Sequence, residues 1–266
     1  MVELSRVSYR VGKAVLLDDV SAAFHRNKFN VIIGPNGAGK STMMRIASGL
    51  TRPTSGSVTY HGEDVSSIET EALARRRAVL SQHVDLAFPL TVEEVVLIGR
   101  FPHYRSTPGE ADRQIVSRAL DEVGIADRRR QSYPTLSGGE KQKVQLARVL
   151  AQISTLGKPD HQRVLFLDEP VTGLDVHYQI HILDRAKAIL GSDCTVIAVL
   201  HDLNLAFDYA DALFIIDHGS IVMETGDAHE VSSSVIESVF DVSAERVMMP
   251  GGDSAVWRFS RRADKS

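Results

Sequence analysis

Gly34 to Thr42 reads GPNGAGKST, set between the apolar run FNVII (29–33) and the helix-like MMRIASGL (43–50). Glycines and a lysine at a strand-to-helix turn leave a row of backbone N–H groups unobstructed by side chains, which is what a phosphate needs. Gly34-x4-Gly39-Lys40-Ser41 is the P-loop pattern, in the strand-before, helix-after context that the motif requires. In a chain of this length the bare pattern arises by chance on the order of once in a hundred, so a glycine-rich turn with a solvated lysine is the weaker reading. Gly34, Pro35, Asn36, Gly37, Ala38, Gly39, Lys40, Ser41 and Thr42 are therefore the candidate nucleotide-binding residues. In this reading Lys40 neutralises β/γ charge and Ser41 offers a hydroxyl to Mg²⁺.

Working outward, ELSRVSYRV (3–11) and AVLLDDVSAAF (14–24) carry β-branched and aromatic residues with partial alternation and read as strands. GSVTYHG (56–62) and RAVLSQ (77–82) read the same way, after a helix that Gly49 and Pro53 end. From about Leu86 to Gln152 the pattern turns helical, with EEVVLIGR, EADRQIVSRALDEVG and EKQKVQLARVLAQ showing apolar residues at spacings of three and four. Short apolar runs then return as VLFLD (164–168), TVIAVL (195–200) and ALFIID (212–217), separated by the helix-like HYQIHILDRAKAIL and HDLNLAFDYA. This is the β-α-β alternation of a parallel sheet covered on both faces. The expectation is an α/β fold occupying residues 1–266 as one domain, interrupted by a helical insertion over approximately 86–152, with a weakly patterned tail from about Ser243.

Composition bounds the function classes. A chain of 266 residues with 43% hydrophobic and 24% charged residues is ordinary for a globular domain, and a net charge of -4 gives no support to nucleic-acid binding. The basic runs Arg75 to Arg77 and Arg128 to Arg130 read as solvated helix faces or ends. The lone Cys194, beside TVIAVL, reads as a buried, inert strand thiol in a reducing compartment. The start lacks the apolar core of a signal peptide and no stretch reaches the 18 apolar residues of a membrane helix, so a cytoplasmic location is expected. His177 and His181, spaced i, i+4, lack the glutamate of HExxH and any nearby thiol; no metal site is expected there.

Two further elements bear on chemistry. In Val164-Leu165-Phe166-Leu167-Asp168-Glu169-Pro170 four apolar residues make a strand, and the acids emerge at its C-terminal edge, where ligands bind in open α/β sheets. Asp168 is placed to hold Mg²⁺ and Glu169 to polarise the attacking water as a general base. Leu136-Ser137-Gly138-Gly139-Glu140 precedes KQKVQLARVLAQ; Ser137 is a plausible N-cap, and Gly138 and Gly139 leave the helix start bare as a second anion site.

P-loop, LSGGE and LFLDEP at these separations resemble the nucleotide-binding subunit of an ATP-binding cassette (ABC) transporter, over nearly the whole chain. The resemblance implies an ATP- and Mg²⁺-dependent hydrolase with a P-loop NTPase core, an antiparallel β subdomain and a helical subdomain. In that family two cassettes pack head to tail. Ser137 and Gly139 would then meet the γ-phosphate held by the partner copy's loop. By the same resemblance Gln82 is the glutamine that touches Mg²⁺ and the attacking water, and His201 is the histidine that contacts the γ-phosphate. Asp175 falls at the D-loop aspartate, although the usual serine-alanine pair before the leucine is Thr172-Gly173 here. Tyr9 matches the aromatic that stacks on adenine.

Leu86-Ala87-Phe88-Pro89 falls where the family offers an apolar groove to a permease coupling helix. A cassette without fused membrane helices suits a bacterial importer, peripheral on the cytoplasmic face of the inner membrane. The implied partners are a second copy, an integral membrane permease dimer and, through it, a periplasmic cargo-binding protein. LAFPLTVEEVVLIGRFPH resembles the group serving iron-siderophores, cobalamin and haem, and that run with the polar insert STLGKPDHQR (154–163) tilts the resemblance toward haem. A siderophore or cobalamin importer stays open. A chromosome-maintenance ATPase would separate Lys40 from Ser137 by a long coiled coil, which is absent, and a translation-factor cassette would carry two tandem copies.

Overall fold

Phe29–Ile33, the strand that feeds the P-loop, is buried at all five positions, the pattern of a strand covered on both faces. The computed structural model describes residues 1–81, 88–156, 161–190, 193–248 and 255–262. Gln82, Leu86, Ala87, residues 157–160 of the polar insert and Met249 lie outside them. Two compact units emerge, the first from Met1–His25, Phe29–Gly62 and Val199–Ser266, the second from Arg26–Lys28 and Glu63–Ala198. Elements below are numbered in chain order across both.

In the first unit β1 (Val2–Val11) pairs antiparallel with β2 (Ala14–Phe24) and with β4 (Ser55–Tyr60). β3 (Phe29–Ile33) runs parallel to β9 (Ala212–Asp217), in register from Asn30↔Ala212 to Ile33↔Ile215, and β10 (Ser220–Thr225) flanks β9 antiparallel. Helix α1 (Lys40–Ala47) buries Met43, Met44 and Ile46 and is held at its end by Tyr60, whose hydroxyl donates to the Ala47 carbonyl at 3.0 Å. Helices α7 (Leu203–Tyr209) and α8 (Ser233–Phe240) complete the unit with a hairpin of β11 (Val242–Met248) and β12 (Ala255–Arg261). The tail that reads as weakly patterned is thus a ladder running from Val242↔Arg261 to Met248↔Ala255. Its apolar side chains do not alternate cleanly, because Trp257 is buried while Met248 and Phe259 on the same face are exposed.

In the second unit β5 (Glu63–Asp64) and α2 (Thr70–Arg76) lead to β6 (Arg77–Leu80), parallel to β7 (Arg163–Asp168), with β8 (Cys194–Val199) on the other side of β7. Arg75 and Arg76 end α2, as expected of a basic run, whereas Arg77 opens β6 and is half-buried. Helices α3 (Val92–Ile98), α4 (Glu110–Glu122), α5 (Gly138–Ile153) and α6 (Val176–Ala188) make up the rest. Burial pushes the Cys194 thiol up to about 12, so it stays protonated and unreactive, as its apolar surroundings lead one to expect.

Three helices of this unit are joined by a buried cation. Arg100 donates from Nε to Asp112 Oδ1 at 3.0 Å and from Nη1 to the Ala151 and Ser154 carbonyls at 2.6 and 2.8 Å, tying the ends of α3 and α5 to the start of α4. His103 adds a bond from Nε2 to the Gln152 carbonyl at 2.8 Å. Burial, reinforced by the Arg100 charge, lowers the His103 pKa and favours the neutral ring. A cation and a ring N–H at the last carbonyls of α5 satisfy groups that a helix end leaves unpaired.

Helix α3 starts on a capping box, with the Thr91 hydroxyl accepting from Glu94 N at 3.3 Å and Glu94 Oε2 accepting from Thr91 N at 2.7 Å. Thr91→Ala removes one arm and is expected to cost about 1 kcal/mol. A lower denaturant midpoint at unchanged m-value, measured by urea unfolding, is the expected readout.

Candidate functional site

Each unit carries candidate functional residues of its own. In the first, β3 delivers the chain into the loop and α1 leaves it at Lys40. A Cβ on Gly34 would lie 2.0 Å from the Ile216 carbonyl oxygen, so the loop's first residue has room only for hydrogen. Gly39 caps α1 with φ +104°, a left-handed conformation that disfavours any other residue, and a Cβ there would lie 2.6 Å from Leu16 O. No side chain caps α1 and no acid occupies its first turn. Its first N–H groups and the positive end of its dipole are therefore offered to an anion.

Lys40 sits at the head of this helix, 5% exposed, its ammonium donating to the Gly34 and Pro35 carbonyls at 2.8 and 2.9 Å. These bonds offset the cost of burying an ammonium and fix the charge inside the curl of the loop. Ser41 and Thr42, half-buried, occupy the first turn behind it.

Tyr9 and His201 belong to the same unit. Tyr9 on β1 stands opposite Leu17 of β2, and Gly39 packs against Leu16 and Leu17. The register thus sets Tyr9 on the strand next to the one that buttresses the loop. His201 is exposed, one residue beyond Leu200, whose N–H donates to Ile32 O at 3.3 Å. His201 therefore follows a residue bonded near the end of β3, where the loop begins.

In the second unit β7 ends on Asp168 and Glu169 follows it, both half-buried, and Pro170 is buried. Glu169 adopts φ +52°, uncommon for a residue with a side chain, and it precedes a proline, which restricts its backbone further. Strain of this kind costs of order 1–3 kcal/mol and persists where surrounding structure enforces it. Here Thr172 N bonds the Glu169 carbonyl at 3.3 Å, and the Thr172 hydroxyl lies 3.4 Å from Glu169 Oε2.

Ser137 caps α5 as expected of it, in a capping box with Glu140: Ser137 N and Oγ donate to Glu140 Oε2 at 2.9 and 2.8 Å. Those bonds hold the Glu140 carboxyl below its usual pKa. Gly138 has open space around it. Gly138, Gly139, Gln142, Asp168, Glu169 and Thr172 all line one cavity of about 310 Å³. Gln142 Nε2 donates across it to the Thr172 carbonyl at 3.1 Å. Gln142 carries no motif signal of its own, and only the fold joins it to Glu169. Asp175 serves as N-cap of α6, its carboxylate accepting from Tyr178 N at 3.1 Å.

The ABC transporter family profile matches residues 17–172, from within β2 to the turn after Glu169. The chain belongs to the ABC transporter family. The hemin import ATP-binding protein HmuV of Bradyrhizobium diazoefficiens is 41% identical over 245 residues, covering 92% of this chain and 90% of its own. HmuV of Gloeobacter violaceus is 44% identical, over 84% of this chain and 81% of its own. HmuV of Methylobacillus flagellatus is 35% identical, over 100% and 98%. Among solved structures, a metal-chelate type ABC transporter in an inward-facing conformation superposes with a TM-score of 0.79 at 19% identity, over 98% of this chain and 97% of that one. A dimeric ATP-binding cassette in a post-hydrolysis state with ADP and phosphate superposes with a TM-score of 0.72 at 26% identity, over 85% and 98%.

As an ABC ATPase, the chain has the P-loop NTPase core of the ABC cassette, binds nucleotide and hydrolyses ATP. Among the described residues no helix is long and apolar enough to cross a membrane.

Proposed function

We propose that this chain is the ATPase subunit of a bacterial importer that moves haem through a separate permease dimer, docked peripherally on the inner face of the inner membrane. The observation that carries the cargo is that relatives 35%, 41% and 44% identical, matching most or all of the chain, bear the name hemin import ATP-binding protein. A periplasmic cargo-binding protein acts through the permease. Phe88, 72% exposed just before α3, belongs to the segment assigned to the permease coupling helix.

The working unit is a head-to-tail pair of copies. The α1 N–H groups and Lys40 hold the phosphates, Tyr9 stacks on adenine, and Ser137 and Gly139 of the other copy meet the γ-phosphate. Glu169 takes the proton of the attacking water, His201 contacts the γ-phosphate, and Asp175 lies at the junction of the copies. Ser41, Asp168 and Gln82 offer the hydroxyl, carboxylate and amide oxygens that a hard cation takes, and Mg²⁺ bound there would neutralise phosphate charge. ATP closes the pair because its γ-phosphate has affinity for the closed state that ADP lacks.

Lys40→Ala tests the loop. A hydrogen bond to a charged group is worth about 1.5–3 kcal/mol, so ATP binding is expected to weaken roughly 10- to 150-fold by titration calorimetry. An unchanged Kd would count against the assignment. Cargo is tested by reconstituting the chain with candidate permeases in proteoliposomes. Haem-loaded binding protein is expected to stimulate ATP turnover above the level given by siderophore- or cobalamin-loaded protein. Stimulation by either of the latter alone overturns the haem reading.

A further inference from the structure

The hairpin β11–β12 touches the site through one short helix. α7 has seven residues, too few to hold a helical conformation unaided, so its placement comes from packing. On one side Tyr209 meets Phe29, the first residue of β3, with ring centroids 6.0 Å apart. On the other, Phe207 lies against Trp257 of β12 with centroids 5.3 Å apart. Beside that contact Asn204 Oδ1 accepts from Trp257 N at 2.8 Å and Nδ2 donates to Trp257 O at 3.2 Å. One amide side chain thus satisfies both main-chain groups of an edge residue, as a neighbouring strand would.

The helix so clamped begins two residues after His201. Asp202 caps α7, its carboxylate accepting from Leu205 N at 3.1 Å, while Leu200 is bonded to β3. His201 is the single link between a strand end fixed by β3 and a helix start fixed by the hairpin. We propose that the C-terminal hairpin positions His201 through α7, with Asn204 and Trp257 as the positioning residues. The hairpin acts as a strap: it fixes the helix from which the histidine's backbone hangs and so sets the angle at which the imidazole meets the γ-phosphate. This rests on the assignment of His201 to that contact.

The test is a double-mutant cycle on the full chain, reading kcat at saturating ATP, the Kd for ATP and the melting temperature. His201→Ala alone checks the assignment: unchanged kcat sinks both the assignment and the strap. With that variant impaired, Asn204→Ala is expected to lower kcat about tenfold, less than the hundredfold that a misplacement of about 1 Å can cost. The Kd for ATP is expected to hold within about twofold, since α1 and Lys40 are untouched. In the His201→Ala background Asn204→Ala is expected to have no further effect on kcat, because the group it acts through is gone. Unchanged kcat in the single variant, additive losses in the double, or a matching loss of ATP affinity each overturn the proposal while leaving the His201 assignment standing. Trp257→Ala is expected to repeat the result and Trp257→Phe to restore at least half of the lost turnover. That pair carries the same cycle should Asn204→Ala not fold.

Discussion

Glu169→Gln is expected to slow ATP turnover by about 10²- to 10⁴-fold, the range a positioned general base supplies. The amide matches the carboxylate in shape and keeps an oxygen to accept from the Thr172 hydroxyl, while the bond from Thr172 N to the Glu169 carbonyl runs through the main chain. What the change removes is basicity. Nucleotide affinity is expected to stay close to wild type, because the phosphates are held by α1 and Lys40. With hydrolysis blocked the γ-phosphate persists, so the variant should accumulate as an ATP-dependent dimer in size-exclusion chromatography and remain monomeric in ADP. Near-normal turnover would remove Glu169 from the role of base.

Ser137→Arg acts from the other copy. The substitution loses the cap that Ser137 shares with Glu140, at about 1 kcal/mol, and places a long cation at the start of α5. Ser137→Ala carries the first effect without the second. The alanine variant therefore reports stability, and the excess loss in the arginine variant reports the blocked γ-phosphate contact. Losing such a preorganised donor costs about 10²–10³ in kcat, with ATP binding to the monomer retained. Mixing Lys40→Ala chains with Ser137→Arg chains supplies the sharper test. If the site is shared between copies, each mixed dimer regains one intact site and turnover returns. Wild-type chains mixed with a chain carrying both changes form mixed dimers with no intact site. No complementation in the first mixture would show that the signature helix does not act in trans.

The loop was readable from sequence because everything it needs lies within nine residues: a buried strand, glycines where side chains are barred, and a lysine at the helix start. The cap at Ser137 was readable for the same reason, since Glu140 stands three residues away and the box closes locally. Asp168 and Glu169 announced themselves by following an apolar run. The left-handed backbone at Glu169 gave no such sign, because acids before prolines occur in ordinary turns with φ below zero.

Local chemistry in the sequence thus specified the α/β alternation, the phosphate loop and the acids at a strand end, since periodicity, turn residues and caps act over one or two turns of chain. Tertiary structure alone settled which distant groups meet. It set Gly138 and Gly139 around one cavity with Glu169, folded a tail of uneven polarity into a hairpin, and brought Asn204 to Trp257 across 53 residues. Contacts of that span depend on how whole faces pack, and no short window of residue types encodes them.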